Sequence, residues 1–244
     1  MRKRDLHSLP NLFTAVNLLS GATCVYALIS QIDSIVPICI IISLVCDFFD
    51  GFVARKMNIQ SNIGKELDSL ADVISFGLVP SFMLLRMFNP DMQIQFTALG
   101  ILLFILPLTV AIYSAFRLAK FNMETRDSEY FYGLNTPSNT LMILGVYLTW
   151  LNNNFGIVHF LDKNIIVLVL SVSLINYLLI SNTPMFSNKS VSKQFKGNLP
   201  FVILGLIMII SVFLFKYLGF SITILSYVFM SLLVLRWKLI KLPR

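Results

Sequence analysis

The sequence predicts an all-α membrane protein, a polytopic bundle of about eight transmembrane helices with both termini in the cytoplasm. Three observations support this fold class. Hydrophobic residues make up 57% of the 244-residue chain and charged residues only 13%, about half the share typical of globular domains. The mean hydropathy is +0.80. Apolar runs near the ~20 residues that cross a bilayer recur along the chain, and basic residues are concentrated in alternate connections between them.

Eight predicted spans follow from the apolar runs. Their approximate limits are 11–30, 34–54, 66–88, 95–119, 136–153, 163–182, 199–217 and 220–237. The fifth has the least distinct start, because Asn135, Thr136 and Pro137 interrupt the apolar pattern there. The last two can also be described as one helical hairpin with Gly219 in its turn.

The N-terminus resembles a signal peptide in having a basic start before an apolar run. That run extends to about Ile29, which is longer than the apolar region of about 7–15 residues in cleaved signals. We therefore expect a retained first span, with Pro10 marking a short interfacial segment before it.

Basic residues test this layout, because they favour the cytoplasmic side of a membrane protein. In the eight-span layout, all of the 19 Lys and Arg residues except Arg86, Lys163 and Lys216 fall on one side. We expect that side to be the cytoplasmic face of the cell (inner) membrane. The net charge of +7 is attributed to membrane lipids rather than to nucleic acid, since the sequence shows no basic face or base-stacking platform.

Residues 47–72, DFFDGFVARKMNIQSNIGKELDSLAD, carry four aspartates at the ends of two apolar runs. Asp47 and Asp50 are three residues apart and Asp68 and Asp72 are four apart, so each pair lies on one face of a helix. If the helices form a hairpin, the four carboxylates face each other at the membrane's edge and repel one another unless a cation is present. Oxygen ligands without His or Cys favour Mg²⁺ or Mn²⁺, and such ions typically act on phosphates.

Two alternatives concern this stretch. The aspartates could be helix caps or partners of nearby Lys and Arg residues, although that does not account for four at these spacings. Gly51 and Ala54 could allow close helix packing or let a ligand approach the backbone. Gly64 opens the next helix, where backbone N–H groups and the helix dipole can meet an anion.

The stretch resembles the motif of the CDP-alcohol phosphatidyltransferases, D-x2-D-G-x2-A-R-x8-G-x3-D-x3-D, at every fixed position. These positions are Asp47, Asp50, Gly51, Ala54, Arg55, Gly64, Asp68 and Asp72. The resemblance implies that the four aspartates hold two Mg²⁺ or Mn²⁺ ions on the pyrophosphate of CDP-diacylglycerol. It also implies that Asp72 is a ligand or the base that deprotonates the incoming hydroxyl, and that Gly51, Ala54, Arg55 and Gly64 bind CDP.

The implied reaction is attack by an alcohol on the lipid-bearing phosphorus, with CMP leaving. The resemblance also implies a six-helix core in residues 1–182, including the N-terminal interfacial segment. Residues 183–244 then form a cytoplasmic loop and two additional helices. Homodimers are usual in this family.

Three further stretches are similar to the bacterial phosphatidylserine synthases of the family. The first is LPNLFTAVNLLSG, at the start of the first predicted span. The second is DSLADVISFGLVPS, which begins at Asp68 of the motif. The third is RLAKFN followed by FYGLNTP, at residues 117–122 and 131–137. Lys120 and Asn135 depart from the Arg and Pro of that pattern. The resemblance implies L-serine as the acceptor, and Arg117, Asn122, Gly133 and Pro137 are candidate contacts. Arg117 offers a bidentate fork for a carboxylate, or it is simply an anchor on the cytoplasmic side.

Other acceptors use the same chemistry. Glycerol 3-phosphate or inositol phosphate would require extra basic residues, which Lys189, Lys193 and Lys196 could supply. A carboxylate-lined cation transporter is a more distant alternative, because it should place acids near the midplane in both halves of the fold. A purely structural membrane protein leaves the acidic cluster unexplained.

Overall fold

The computed structural model describes residues 9–57, 61–92, 96–123, 131–152, 164–185 and 195–236. These residues are helical apart from short connections and one pair of two-residue strands, which confirms the all-α class. Within the described ranges, four segments are long and apolar enough to cross a membrane, namely Leu9–Ile29, Asp33–Lys56, Asn62–Phe88 and Ala98–Met123. The predicted interfacial segment before the first helix lies outside the described residues, except at its last positions.

The chain divides into two compact units, Met1–Asn122 and Met123–Arg244. In the first unit, helix α1 spans Leu9–Ile29 and α2 spans Val36–Lys56 after a 3₁₀ turn at Asp33–Ile35. Helix α3, Asn62–Asp72, continues through a π-helical segment, Val73–Leu78, into α4, Val79–Phe88. Helix α5 spans Ala98–Met123.

Helix α1 packs against α2, α3, the π-helical segment and α4. Its buried side is formed mostly by polar and small residues, and includes Asn11, Thr14, Asn17, Ser20, Gly21, Cys24 and Ala27. Large apolar side chains such as Leu19, Phe48 and Phe116 are instead exposed. Small residues on the packed side let helices approach closely, and apolar residues on the outer side suit contact with lipid.

Close approach is required at Gly21. A Cβ atom built there would lie 2.2 Å from Ser75 Oγ and 3.0 Å from Ser75 Cα. The Ser75 hydroxyl donates to the Asn17 backbone carbonyl at 3.0 Å. The backbone of α1 is therefore held directly against the π-helical segment that follows Asp72.

The start of α3 has a local cause. Ser61 is extended and its Oγ accepts a hydrogen bond from the Gly64 N–H at 3.0 Å, which satisfies one of the unpaired N–H groups of a helix N-terminus. The predicted span 66–88 therefore begins four residues earlier, at Asn62. Residues 58–60, between α2 and α3, lie outside the described residues.

At the opposite end of these helices, Arg86 forms an ion pair with Asp33 at 3.3 Å. Arg86 also donates to the Pro90 carbonyl, and Gln31 Nε2 donates to the same carbonyl at 3.4 Å. Arg86 was one of three basic residues that the predicted layout left on the other side. In the structure its charge is balanced by an aspartate from the connection between α1 and α2.

In the second unit, strand β1 at Phe131–Tyr132 pairs antiparallel with β2 at Pro184–Met185. The helices are α6, Thr136–Leu151; α7, Ile165–Ile180; α8, Phe195–Phe215; and α9, Leu218–Arg236. Asn135 accepts from the Ser138 N–H at 2.9 Å as the N-cap of α6, and Pro137 lies in its first turn. The polar pattern of Asn135, Thr136 and Pro137, which made the predicted start of this span indistinct, therefore marks the N-terminus of α6.

Helices α8 and α9 pack together across the short connection Lys216–Tyr217. A Cβ atom at Gly219 would lie 2.5 Å from Val212 N, so glycine is needed where α9 begins against α8. Helix α9 also packs on α6, where Ser221 Oγ donates to the Met142 carbonyl at 2.6 Å. The predicted hairpin of the last two helices is present, with Gly219 in the first turn of α9.

Candidate active site

Helices α2 and α3 bring three aspartates together at their neighbouring ends. Asp47, Asp50 and Asp68 each offer a carboxylate oxygen, and these oxygens all lie within 4.8 Å of one another. Asp50 is buried, and Asp47 and Asp68 are half-buried. The spacing that predicted a shared helical face therefore corresponds to a real cluster formed by two helices.

Asp72 lies one helical turn beyond Asp68 on α3. Its side chain is buried, and its Oδ1 accepts a hydrogen bond from Asn17 Nδ2 of α1 at 3.3 Å. Within the described residues it is not a member of the close group formed by the other three carboxylates. The side chain of Asp72 is therefore held by α1 as well as by α3.

Helix α1 also contacts the cluster through Thr14. Its Oγ1 hydroxyl donates to Asp50 Oδ2 at 3.0 Å and lies 3.2 Å from the Pro10 carbonyl. Asn17 and Thr14 were not among the predicted site residues. A signal was present in the sequence, because Asn11, Thr14, Asn17 and Ser20 recur every three residues in an otherwise apolar run.

A cavity of about 480 Å³ opens beside the cluster. It is lined by Pro10, Asn11, Thr14, Asp50, Gly51, Ala54, Arg55, Ser61, Asn62, Gly64, Lys65 and Asp68. All four residues predicted to bind CDP thus line the same cavity as two of the predicted metal ligands. The Arg55 guanidinium folds back over Gly51, where a Cβ would lie 3.4 Å from Nη1.

The backbone N–H of Gly64 has a different hydrogen-bonding partner from the one expected. Its N–H was predicted to be available to an anion, but it donates to Ser61 Oγ in the helix cap. A Cβ atom at this position would lie 3.0 Å from Ser61 Oγ and 3.1 Å from Asn11 Oδ1. Gly64 therefore contributes space at the cavity wall rather than a free hydrogen-bond donor.

The two residues of α5 that are candidates for binding the acceptor alcohol, Arg117 and Asn122, differ in their surroundings. Arg117 is buried. Asn122 Nδ2 donates to Ser69 Oγ at 2.7 Å, and its backbone carbonyl accepts from Lys65 Nζ at 3.1 Å. The end of α5 is therefore tied to α3, the helix that carries Asp68 and Asp72.

Gly133 and Pro137 have local roles in the second unit. Gly133 has a φ of +73° and its N–H donates to the Thr183 carbonyl at 2.9 Å. A Cβ there would lie 2.8 Å from the Leu179 carbonyl, so only glycine fits. Pro137 lies in the first turn of α6, and Asn135, which departs from the pattern of the resemblance, caps this helix.

Comparison with known proteins decides the family. The sequence profile of the CDP-alcohol phosphatidyltransferases matches residues 7–175. The chain belongs to this family. The identification made from the aspartate motif is confirmed, and the protein is a CDP-alcohol phosphatidyltransferase.

Relatives named CDP-diacylglycerol–serine O-phosphatidyltransferase occur in several bacteria. The protein of Helicobacter pylori (strain ATCC 700392 / 26695) is 35% identical over 211 residues, which cover 85% of this chain and 82% of the relative. That of Mycobacterium leprae (strain TN) is 30% identical over 234 residues, covering 93% and 74%. That of Bacillus subtilis (strain 168) is 31% identical over 139 residues, covering 54% and 71%.

The carboxylates of this phosphatidyltransferase fit a divalent metal, which its family generally uses. Asp68 Oδ1 is buried without a hydrogen-bond partner. The ion pair between Arg86 and Asp33 does not involve the three clustered carboxylates. Their mutual repulsion and the orphaned oxygen are both relieved by a hard cation with oxygen ligands.

Proposed function

We propose that this phosphatidyltransferase is a phosphatidylserine synthase, which transfers the phosphatidyl group of CDP-diacylglycerol to the hydroxyl of L-serine and releases CMP. The observation that carries the proposal is the cluster of Asp47, Asp50 and Asp68 opening into a cavity. Carboxylates that can hold a divalent ion beside a space for a nucleotide are suited to chemistry at a pyrophosphate. The serine acceptor is supported by the names of the relatives.

In this proposal Asp47, Asp50, Asp68 and Asp72 hold two divalent ions, Mg²⁺ or Mn²⁺. When bound, the ions would neutralise charge on the pyrophosphate and on the departing CMP. Gly51, Ala54, Arg55 and Gly64 would bind the CDP moiety. The cavity of about 480 Å³ lies within the range of roughly 300–1,000 Å³ for small-molecule sites.

Asp72 is proposed as the base. The serine hydroxyl oxygen forms a bond to the lipid-bearing phosphorus, the bond from that phosphorus to the CMP oxygen breaks, and the hydroxyl proton passes to Asp72. A carboxylate near a cation tends to stay ionised, which weakens it as a base. We therefore place the proton transfer late, as the new P–O bond forms.

Acceptor binding is proposed for Arg117 and Asn122 of α5. Arg117 can pair with the serine carboxylate through two parallel hydrogen bonds. Asn122 is supported by its contact with Ser69, next to Asp68 on α3. Gly133 and Pro137 are included on the resemblance alone, since their described contacts account only for local backbone structure.

We further propose that the protein has eight membrane spans, with both termini and the aspartate cluster at the cytoplasmic face of the inner membrane. Four described segments that are long and apolar enough to cross a membrane, and shorter apolar helices in the second unit, support this proposal. Residues 1–182 would form the core and 183–244 a loop with two added helices. A homodimer is proposed from the family alone.

The test is CMP release from CDP-diacylglycerol by purified protein in detergent with Mg²⁺ or Mn²⁺. Parallel reactions contain serine, inositol, glycerol 3-phosphate, inositol phosphate or no acceptor, and Asp72→Asn is the control variant. We expect serine-dependent release that the variant loses by at least about 100-fold. Release with a different acceptor would reject serine, and no release with any acceptor would reject the proposed reaction.

A further inference from the structure

We infer that Asn17 of α1 is a positioning residue for the reaction, because it fixes the carboxylate of Asp72 in one orientation. The inference rests on the proposed role of Asp72 as the base. It adds to the aspartate motif a residue that lies more than fifty positions away from Asp72 in the sequence. Nothing in the motif itself points to α1.

The contact is buried on both sides. Asn17 has an exposed fraction of 0% and Asp72 one of 8%, and Asn17 Nδ2 donates to Asp72 Oδ1 at 3.3 Å. A carboxylate has no proton to donate when ionised, so the amide must present its NH₂ group to it. Oδ1 accepts this hydrogen bond, and in the proposed reaction Oδ2 would accept the proton of an incoming hydroxyl.

The backbone of Asn17 is itself fixed. Its carbonyl accepts hydrogen bonds from Ser75 Oγ at 3.0 Å and from Ser43 Oγ at 3.4 Å. Ser43 is on α2 and Ser75 is in the π-helical segment directly after Asp72. The amide that holds Asp72 is therefore anchored to both of the segments that meet at the site.

The choice of side chain argues against a role in packing alone. The carbonyl oxygen Oδ1 of Asn17 is buried and has no hydrogen-bond partner. An unsatisfied polar atom is costly in a buried position of a membrane helix, and an apolar side chain of the same size would avoid it. The donor group directed at Asp72 is the feature that such a replacement could not reproduce.

The test compares Asn17→Leu with a matched control, Ser20→Ala, in the full-length protein. Leu has the same branching and the same number of side-chain heavy atoms as Asn, but it is bulkier and has no donor. Ser20 is on the same buried stripe and donates from Oγ to the Cys39 carbonyl at 2.8 Å, so its variant removes an interhelical hydrogen bond without contacting an aspartate. For each variant we would measure kcat and KM with serine and CDP-diacylglycerol, and the Kd for CDP in the presence of Mn²⁺ by calorimetry.

We expect Asn17→Leu to lower kcat by about 10- to 100-fold, the usual effect of losing a group that orients a functional ligand. The Kd for CDP should change by less than about threefold, because Asn17 contacts Asp72 rather than the nucleotide cavity. Ser20→Ala should keep kcat within about twofold. Asn17→Ser, whose shorter side chain does not reach Asp72, should lose kcat as well, and it provides the same comparison if the leucine variant does not fold.

Three results would overturn the inference. They are an unchanged kcat in the Asn17 variants, a fall in kcat matched by an equal loss of CDP affinity, or an equal fall in Ser20→Ala. The unsubstituted protein is assayed in parallel with every acceptor, so a wrong acceptor assignment is recognised separately. In that case the same comparison of kcat is made with the acceptor that does react.

Discussion

At the level of single residues, the aspartate cluster depends on donors from a helix that carries no part of the motif. Thr14 donates to Asp50, and Asn17 donates to Asp72. Hydrogen bonds of this kind hold metal ligands in the orientation that binding requires. In the proposed reaction the four carboxylates would act together with α1, so the effects of substitutions there should not be additive.

Thr14→Val tests whether the hydrogen bond from α1 to Asp50 supports the proposed metal site. Val has nearly the same shape but no hydroxyl, so Asp50 loses its donor while packing is kept. We expect the affinity for Mn²⁺, measured by electron paramagnetic resonance of the free ion, to fall by about tenfold. Thr23→Val on the exposed side of the same helix is the control, because the Thr23 hydroxyl contacts only the Leu19 carbonyl. Equal affinities in both variants would exclude a role for Thr14 in metal binding.

Residue types and spacing carried much of the site information, but not all of it. The spacings of the aspartates predicted that, in a helical hairpin, four carboxylates face each other, and three of them form the close group in the structure. The engagement of the Gly64 N–H by Ser61 was not predictable from the motif, because it depends on where α3 begins. The part played by Asn17 depends on how α1 packs, which no spacing within residues 47–72 reports.

At the level of elements, the candidate site lies where α1 packs against the continuous helix formed by α3, the π-helical segment and α4. A π-helical insertion displaces the residues that follow it around the helix axis, and such insertions are frequent at functional sites. Here it begins directly after Asp72 and brings Ser75 to the backbone of Asn17. The apolar pattern of residues 66–88 predicted a helix, but that pattern contains no signal that distinguishes π from α geometry.

Gly21→Ala should disturb this contact. The added Cβ would lie 2.2 Å from Ser75 Oγ and 3.0 Å from its Cα, so α1 has to move away from the π-helical segment. We expect a lower Tm in detergent and a fall in kcat, with a destabilisation of about 1–3 kcal/mol, as in other overpacked sites.

Gly205→Ala is the matched control for that experiment. Gly205 is a helical glycine of α8 with no heavy atom within 4 Å of an added Cβ. Alanine should there be neutral or slightly stabilising, because it has the higher helix propensity. A similar loss of Tm in both variants would indicate that the contact of α1 with the π-helical segment has no special importance.

At the level of the whole molecule, the distribution of basic residues predicts which helix connections face each side of the membrane. The three native cysteines are buried, with exposed fractions of 1%, 7% and 8% for Cys24, Cys39 and Cys46. They should therefore react slowly with a membrane-impermeant maleimide. This makes the unmodified chain a suitable background for introduced cysteines.

We expect Gln31→Cys and Lys216→Cys to be labelled from outside intact cells, and Met57→Cys only after permeabilisation. All three positions are exposed, and they follow α1, α8 and α2, respectively. Gln31 and Lys216 lie in different compact units, so their labelling tests the two halves of the eight-span layout separately. Labelling of Met57→Cys in intact cells would place the aspartate cluster on the outer face. Protection of Lys216→Cys alone would leave the site cytoplasmic but reduce the number of spans in the second unit, because α8 and α9 would then not cross the membrane as a pair.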